Sequence, residues 1–137
     1  MNVKPLFKLM VEKKASDLFF APFSPAKIKI EGKIMPVNKL EMTPKMVKQA
    51  AMELMTEEQM EEFNRELEID FALSEQGLGR FRVNVFHQRG SVSMVLRYIT
   101  SELPTLDELG MPDQLKELVM LRRGLILMVG ATGAGKS

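Results

Sequence analysis

Hydrophobic positions change period several times along the chain, and each change predicts a different element. Val3, Leu6, Phe7 and Met10 recur at helical spacing after Asn2, with Pro5 tolerated in a first turn. The spacing predicts an amphipathic helix over 3–14 that Ser16-Asp17 ends. Leu18-Phe19-Phe20 has the length of a short strand, and Ala26 to Ile30 with Lys33 to Val37 alternates around Glu31-Gly32 as a hairpin does. Thr43-Pro44 then sets an N-cap before a proline at the first helical position, followed by Met46, Val47, Ala50, Ala51 and Leu54 on one face. Thr56 with Gln59 makes a capping box for a second helix bearing Met60 and Phe63, so helices fill 44–65. From Leu67 the period falls to two, through Ile69, Phe71 and Leu73. Gly77 and Gly79 mark a turn before Arg80 to Phe86, and a turn near Arg89-Gly90 leads to a strand from about Val92 to Ile99. Three consecutive antiparallel strands plus the early hairpin predict an α+β domain, a sheet with helices on one side.

Beyond residue 100 the character changes. Leu103-Pro104-Thr105-Leu106-Asp107-Glu108-Leu109-Gly110-Met111-Pro112 holds two prolines, a glycine and a Thr105/Glu108 capping box, which predicts a linker carrying one short helical turn. Residues 112–121 place Leu115, Leu118 and Val119 on one helical face, and Leu125 to Val129 is an apolar run of strand length.

Composition narrows the class. The 137 residues are 45% hydrophobic and 27% charged, which suits a globular core. With no cysteine, a disulfide framework and a zinc–thiolate site are both excluded. The longest stretch without a charged residue runs from Gly124 to Gly135, well under the roughly 20 apolar residues of a membrane-spanning helix. Lys8 and Glu12 interrupt the apolar N-terminal patch, so no secretory signal is expected and a cytoplasmic protein is the expectation. A net charge of +1 does not indicate a nucleic-acid partner, and charge has to be read locally. Residues 51–75 are strongly acidic, whereas 76–100 hold four arginines, Arg80, Arg82, Arg89 and Arg97, and no acid. The planar fork of arginine binds phosphate or carboxylate in a bidentate way that lysine does not, which makes this block the first candidate for anion chemistry.

The apolar run 125–129 feeds directly into Gly130-Ala131-Thr132-Gly133-Ala134-Gly135-Lys136-Ser137, a complete G-x-x-x-x-G-K-S string. A strand followed by such a loop is the context a phosphate-binding P-loop requires. Its glycines let backbone N–H groups turn onto phosphate oxygens, Lys136 reaches the terminal phosphates, and the Ser137 hydroxyl coordinates magnesium. ATP and Mg2+ are the expected cofactors. The helix that should follow the loop and the acid that should hold the metal are not in the sequence, so a longer parent protein is expected, with these residues alone inactive.

Taken in order and spacing, Met10 to Leu18, Gly79 to Phe86, Leu103 to Leu109 and Arg123 to Ser137 resemble the type IV pilus retraction ATPases of the PilT/PilU group, with an opening and a loop of the form found in its PilU branch. The resemblance spans the whole chain. It implies a PAS-like N-terminal domain over 1–100, a linker over 101–111, and over 112–137 the start of a RecA-like ATPase domain that stops after the Walker A motif, with its first helix and strand. It also implies a homo-hexameric ATPase that drives pilus retraction and twitching motility, cytoplasmic and peripheral at the inner membrane at the pilus base. A paralogous retraction ATPase and the inner-membrane platform protein are the implied partners. In that family, N-terminal-domain arginines approach nucleotide, and the matching positions are Arg80, Arg82 and Arg97. Spacing agrees in part: Arg80 and Arg82 share a face opposite Phe81, Val83 and Val85, and Arg97 can meet them from the paired strand. The alternative is that these arginines balance the acidic stretch 53–75 as surface pairs. At the level of function, the alternatives are an accessory subunit that mainly binds a partner ATPase, or a secretion or pilus-assembly ATPase.

The other distinctive residues read as structural. His87 has no cysteine or nearby acid to work with, Met46, Met52, Met55 and Met60 fit flexible core filler, and the acidic block 57–68 fits a solvated helix face. Arg122-Arg123 fits either a helix C-terminus or a phosphate contact.

Overall fold

The structure, a computed structural model, describes residues 3–100 and 104–130. Asn2, residues 101–103 of the expected linker, and Ala131 to Ser137 lie outside the described residues. The chain divides into two compact units, Met1–Ser101 and Glu102–Ser137.

In the first unit, α1 (Lys4–Glu12) starts with Pro5 in its first turn and buries Phe7 and Met10. It closes earlier than the periodicity predicts, because Lys14 turns to a left-handed φ of 51° and the amide of Ala15 donates back to the Met10 carbonyl at 2.8 Å. Asp17 is therefore the first residue of β1 (Asp17–Phe20), not part of a helix end. β2 (Pro25–Ile30) and β3 (Lys33–Glu41) form the expected hairpin, with both turn residues at positive φ (Glu31 47°, Gly32 80°), the geometry whose twist suits a two-residue hairpin. β3 runs four residues past Val37. Its alternation is weak because it is an exposed edge strand, the one place in a sheet where Pro36 costs no ladder bond.

Both helix starts form as their side chains dictate. Thr43 caps α2 (Pro44–Leu54) by accepting from the Met46 amide at 3.2 Å, and Thr56 and Gln59 complete both halves of the capping box of α3 (Glu57–Glu66) at 3.3 and 3.0 Å. Leu67 departs from the predicted strand. It closes α3 in the left-handed conformation, φ 62°, and β4 (Glu68–Glu75) begins one residue later. β5 (Gly79–Gln88) and β6 (Ser91–Ile99) complete the set through the Arg89-Gly90 turn, again with both residues at positive φ. Gly79, at φ 113°, is also held by space, since a Cβ there would stand 3.1 Å from the Tyr98 ring.

The six strands form one antiparallel sheet in the order β3-β2-β1-β6-β5-β4. The α2–α3 connection leaves from one edge strand and returns to the other, so the helices lie across a single face. Leu18, Phe20, Ile28, Phe81, Val83, Val85, Met94 and Leu96 are buried on that face. Phe7 of α1 stacks on Phe81 at 4.6 Å between ring centroids, and Phe63 of α3 stacks on His87 at 5.1 Å. Each large apolar side chain fully buried in this way contributes roughly 1.5–3 kcal/mol. His87 thus packs against an aromatic ring, as a structural residue does. Among the four methionines read as filler, Met55 is buried and Met46 and Met60 pack against the core, but Met52 is exposed because it falls off the Val47/Ala50/Ala51 stripe of α2.

In the second unit the Thr105 amide and hydroxyl donate to Glu108 at 2.7 and 3.0 Å, while the Glu108 amide donates to the Thr105 hydroxyl at 3.3 Å, closing a turn over 106–110. The hydrogen bonds from Thr105, the backbone one first, hold the Glu108 carboxyl below its usual pKa. α4 is short (Gln114–Leu118), with no buried residue. Leu125 to Val129 differs from the expected strand: it pairs with no strand among the described residues, and its five side chains are exposed. A strand exists through its ladder partners, and an apolar run of strand length does not supply them. Among the described residues no helix is long and apolar enough to cross a membrane.

Candidate anion site on the open face of the sheet

Because the helices cover one face, every second residue of the strands projects onto the other. Strand register places Ala72, Arg82, Arg97 and Asp17 in one row across β4, β5, β6 and β1, with Lys29 of β2 next in line. Arg82 and Arg97 are direct cross-strand neighbours, an arrangement that like charges resist unless each is compensated. Both are. Arg82 leans to β4, where Nε donates to both carboxylate oxygens of Asp70 at 3.0 and 2.9 Å and Nη2 donates to Oδ2. Arg97 leans the other way, donating Nε to Oδ1 of Asp17 at 2.9 Å. Ser16 Oγ donates to the second Asp17 oxygen at 2.9 Å.

The hydrogen bond from Arg82, with its charge, holds the Asp70 carboxyl below the usual carboxylate range against a smaller opposing effect of burial, and Asp70 raises Arg82 in return. An open depression of about 310 Å³ lies between the pairs, lined by Asp17, Asp70, Arg82, Asn84, Val95 and Arg97. Asn84 donates to Glu68 at 3.0 Å on its far side.

The expected cluster is thus partly assembled. Arg82 and Arg97 come together as anticipated, while Arg80 sits one row away, opposite Ile99, exposed and without a hydrogen bond or ion pair among the described residues. The segment 76–100 is free of acids in sequence but not in space, because its neighbours in the sheet supply Asp70 and Asp17. Asp70 belongs to the acidic stretch, so one surface pair of the bland alternative is realised. Asp17 was missed, and the signal that finds it is the register of β1 on β6, which no local pattern carries. Of the phosphate loop only Gly130 is described; Ala131, Thr132, Gly133, Ala134, Gly135, Lys136 and Ser137 lie outside the described residues. Arg122 and Arg123 are exposed and make no hydrogen bond or ion pair among the described residues. No group of three His, Asp or Glu is placed to hold a metal ion among the described residues.

An antiparallel sheet with helices on one face thus precedes a G-x-x-x-x-G-K-S string in this chain. The family described as Type II/IV secretion system protein matches residues 2–137, and the chain belongs to that family. The chain is 45% identical over all 137 residues to the type IV pilus ATPase PilU of Pseudomonas aeruginosa, of which it covers 36%. It is 34% identical over the same length to the type IV pilus retraction ATPase PilT of that organism, covering 40% of it. The crystal structure of the pilus retraction motor PilT with bound ADP superposes with a TM-score of 0.84 at 35% identity, covering 99% of this chain and 40% of that one. The chain therefore spans about two fifths of the length of the relatives it matches.

Proposed function

We propose that the chain is the N-terminal part of a hexameric ATPase motor that drives type IV pilus retraction and twitching motility, with 1–100 its PAS-like domain, 101–111 a linker and 112–137 the start of its RecA-like domain. The observation that carries this reading is the Arg82/Arg97 pair on the open sheet face of a chain that also holds the string 130–137. The donor set fits a polyphosphate: Arg97 keeps both Nη groups, and Arg80 its whole guanidinium, without a hydrogen bond among the described residues. In this reading Gly130 to Gly135 cradle the phosphates of ATP, Lys136 contacts the terminal phosphates, and Ser137 holds magnesium, whose contribution is to neutralise phosphate charge. Arg80, Arg82 and Arg97 approach from the N-terminal domain, Arg82 and Arg97 stabilising charge as phosphoryl transfer proceeds. The location is cytoplasmic, peripheral at the inner membrane at the pilus base, with a paralogous retraction ATPase and the platform protein as partners.

The test uses this chain joined to the remaining length of its relatives. Lys136→Ala abolishes turnover. Arg82→Ala and Arg97→Ala each lower kcat by about tenfold or more, Lys does not replace either, and Lys13→Ala and Lys45→Ala, which remove the same charge elsewhere, stay near wild type. Wild-type rates in both Arg→Ala proteins would return the pair to surface ion pairs and leave the domain as a docking module. Residues 1–137 alone give no turnover, and activity above buffer that Lys136→Ala removes would overturn that part.

A second reading is favoured by the carboxylate each arginine already holds. In it the protein is an accessory subunit that mainly binds a partner ATPase, or a secretion or pilus-assembly ATPase. Turnover by the protein alone, against turnover only in a mixed assembly, separates the accessory subunit from the motor.

A further inference from the structure

We infer that Asp17 and Asp70 act on the arginine pair in opposite senses: Asp17 positions Arg97 to receive a polyphosphate oxyanion, and Asp70 occupies Arg82 until an oxyanion displaces it. The inference rests on reading the open face as the side that meets polyphosphate.

The two couples differ in which edge of the guanidinium they use. Arg97 gives Asp17 only its Nε, so the Nη1/Nη2 end of the fork, the edge that binds an oxyanion with two parallel bonds, stays available. Arg82 gives Asp70 both Nε and Nη2, so an arriving oxyanion has to compete for that edge. The carboxylates differ as well. The Asp17 side chain is only 6% exposed, on a strand paired on both sides, and Ser16 holds its second oxygen. A carboxylate so placed does not give up its partner without leaving a buried charge, so it serves as a fixed post. Asp70 is 39% exposed on the edge strand β4, and Arg82 is its one hydrogen-bond partner among the described residues. Water can take over its oxygens. A phosphate group, carrying more charge and three acceptor oxygens, can then replace it on Arg82.

Opposite roles predict opposite signs for two substitutions that remove the same charge. The experiment titrates the 137-residue chain with tripolyphosphate in about 0.1 M salt, following the arginine Nε–Hε resonances by NMR. Asp70→Asn tightens binding by about threefold or more, whereas Asp17→Asn weakens it by a similar factor. In Asp17→Asn the Arg97 Nε–Hε signal also loses its protection from exchange before any anion is added. Glu75→Gln, which removes one charge from a residue paired with Lys4 of α1, sets the baseline for net charge alone. Ser16→Ala perturbs Asp17 without neutralising it, and weakens binding in the same direction by about twofold even if Asp17→Asn fails to fold.

Equal tightening by Asp17→Asn, Asp70→Asn and Glu75→Gln reduces the effect to bulk charge and overturns the inference while leaving an anion site in place. Absence of tripolyphosphate binding by the wild-type chain, with both arginine resonances unmoved, overturns the reading of the face itself.

Discussion

Val83 and Val85 of β5 are fully buried, whereas Leu125 and Val129, equally apolar, stand 82% and 88% exposed. Both segments have the length and composition of a strand. β5 lies between β4 and β6 and under the helices, with Phe7 stacked on its Phe81. The run 125–129 has no ladder partner among the described residues. Composition gives a segment the capacity to be buried, and neighbouring strands decide whether that capacity is used. This is why the first unit holds a core and can display charged residues at fixed positions on its outer face, while α4 and the described residues after it bury none of their large apolar side chains.

The largest test of that contrast is a pair of truncations. Phe81→Ala removes a fully buried ring that touches Phe7 and Tyr98, and is expected to lower the stability of the first unit by about 3–5 kcal/mol in urea. Leu127→Ala should leave the same transition within about 0.5 kcal/mol. Comparable losses from both would show that 125–129 contributes to the same core.

A smaller effect divides the two arginines. Arg97→Ala strips a buried carboxylate of its cation and is expected to cost about 1–2 kcal/mol, toward the low side because Arg97 itself is 65% exposed. Arg82→Ala, whose partner is open to water, should barely move the urea midpoint. If the two shifts were equal, the distinction between a fixed and a displaceable carboxylate would fail.

The smallest effect is in pH. Asp70 titrates below its unfolded value of about 3.9, so its stabilising effect is complete above that pH and lost as pH falls through the folded value. The gap in urea midpoint between wild type and Asp70→Asn should therefore be small at pH 7, shrink below about pH 4 and vanish in stronger acid. A gap that widened toward acid would reverse the assignment.

Much of this fold was legible because its signals are local. Thr43-Pro44 and Thr56 with Gln59 form caps within one turn of chain, and Glu31-Gly32 and Arg89-Gly90 adopt the turns their alternating flanks predicted. Leu67 was misplaced because a leucine carries no sign that it will take a left-handed φ to end a helix. The Arg82/Arg97 face followed from strand periodicity, and a partner for Arg82 in the acidic stretch 53–75 was the stated alternative, but the Asp17 partner of Arg97 was not foreseen. Asp17 reaches Arg97 across 80 positions of sequence. Only the pairing of β1 with β6 makes them neighbours, and nothing near either residue encodes it.

That pairing has a consequence for how the domain forms. The sheet consists of two three-strand meanders, β1–β2–β3 and β6–β5–β4, each built from contacts between consecutive strands, and the β1–β6 ladder is the seam between them. Closing it brings together segments at opposite ends of the domain sequence, so it carries the largest loop-closure entropy of any ladder in the sheet. Each meander can form early from local contacts, and the seam is the step expected to limit the folding rate. The Asp17–Arg97 couple lies directly on that seam. Arg82, Arg97 and Asp70 come together within the β6–β5–β4 meander, and Asp17 joins Arg97 only when the seam closes, so a half-folded domain presents the arginines without the carboxylate that fixes Arg97.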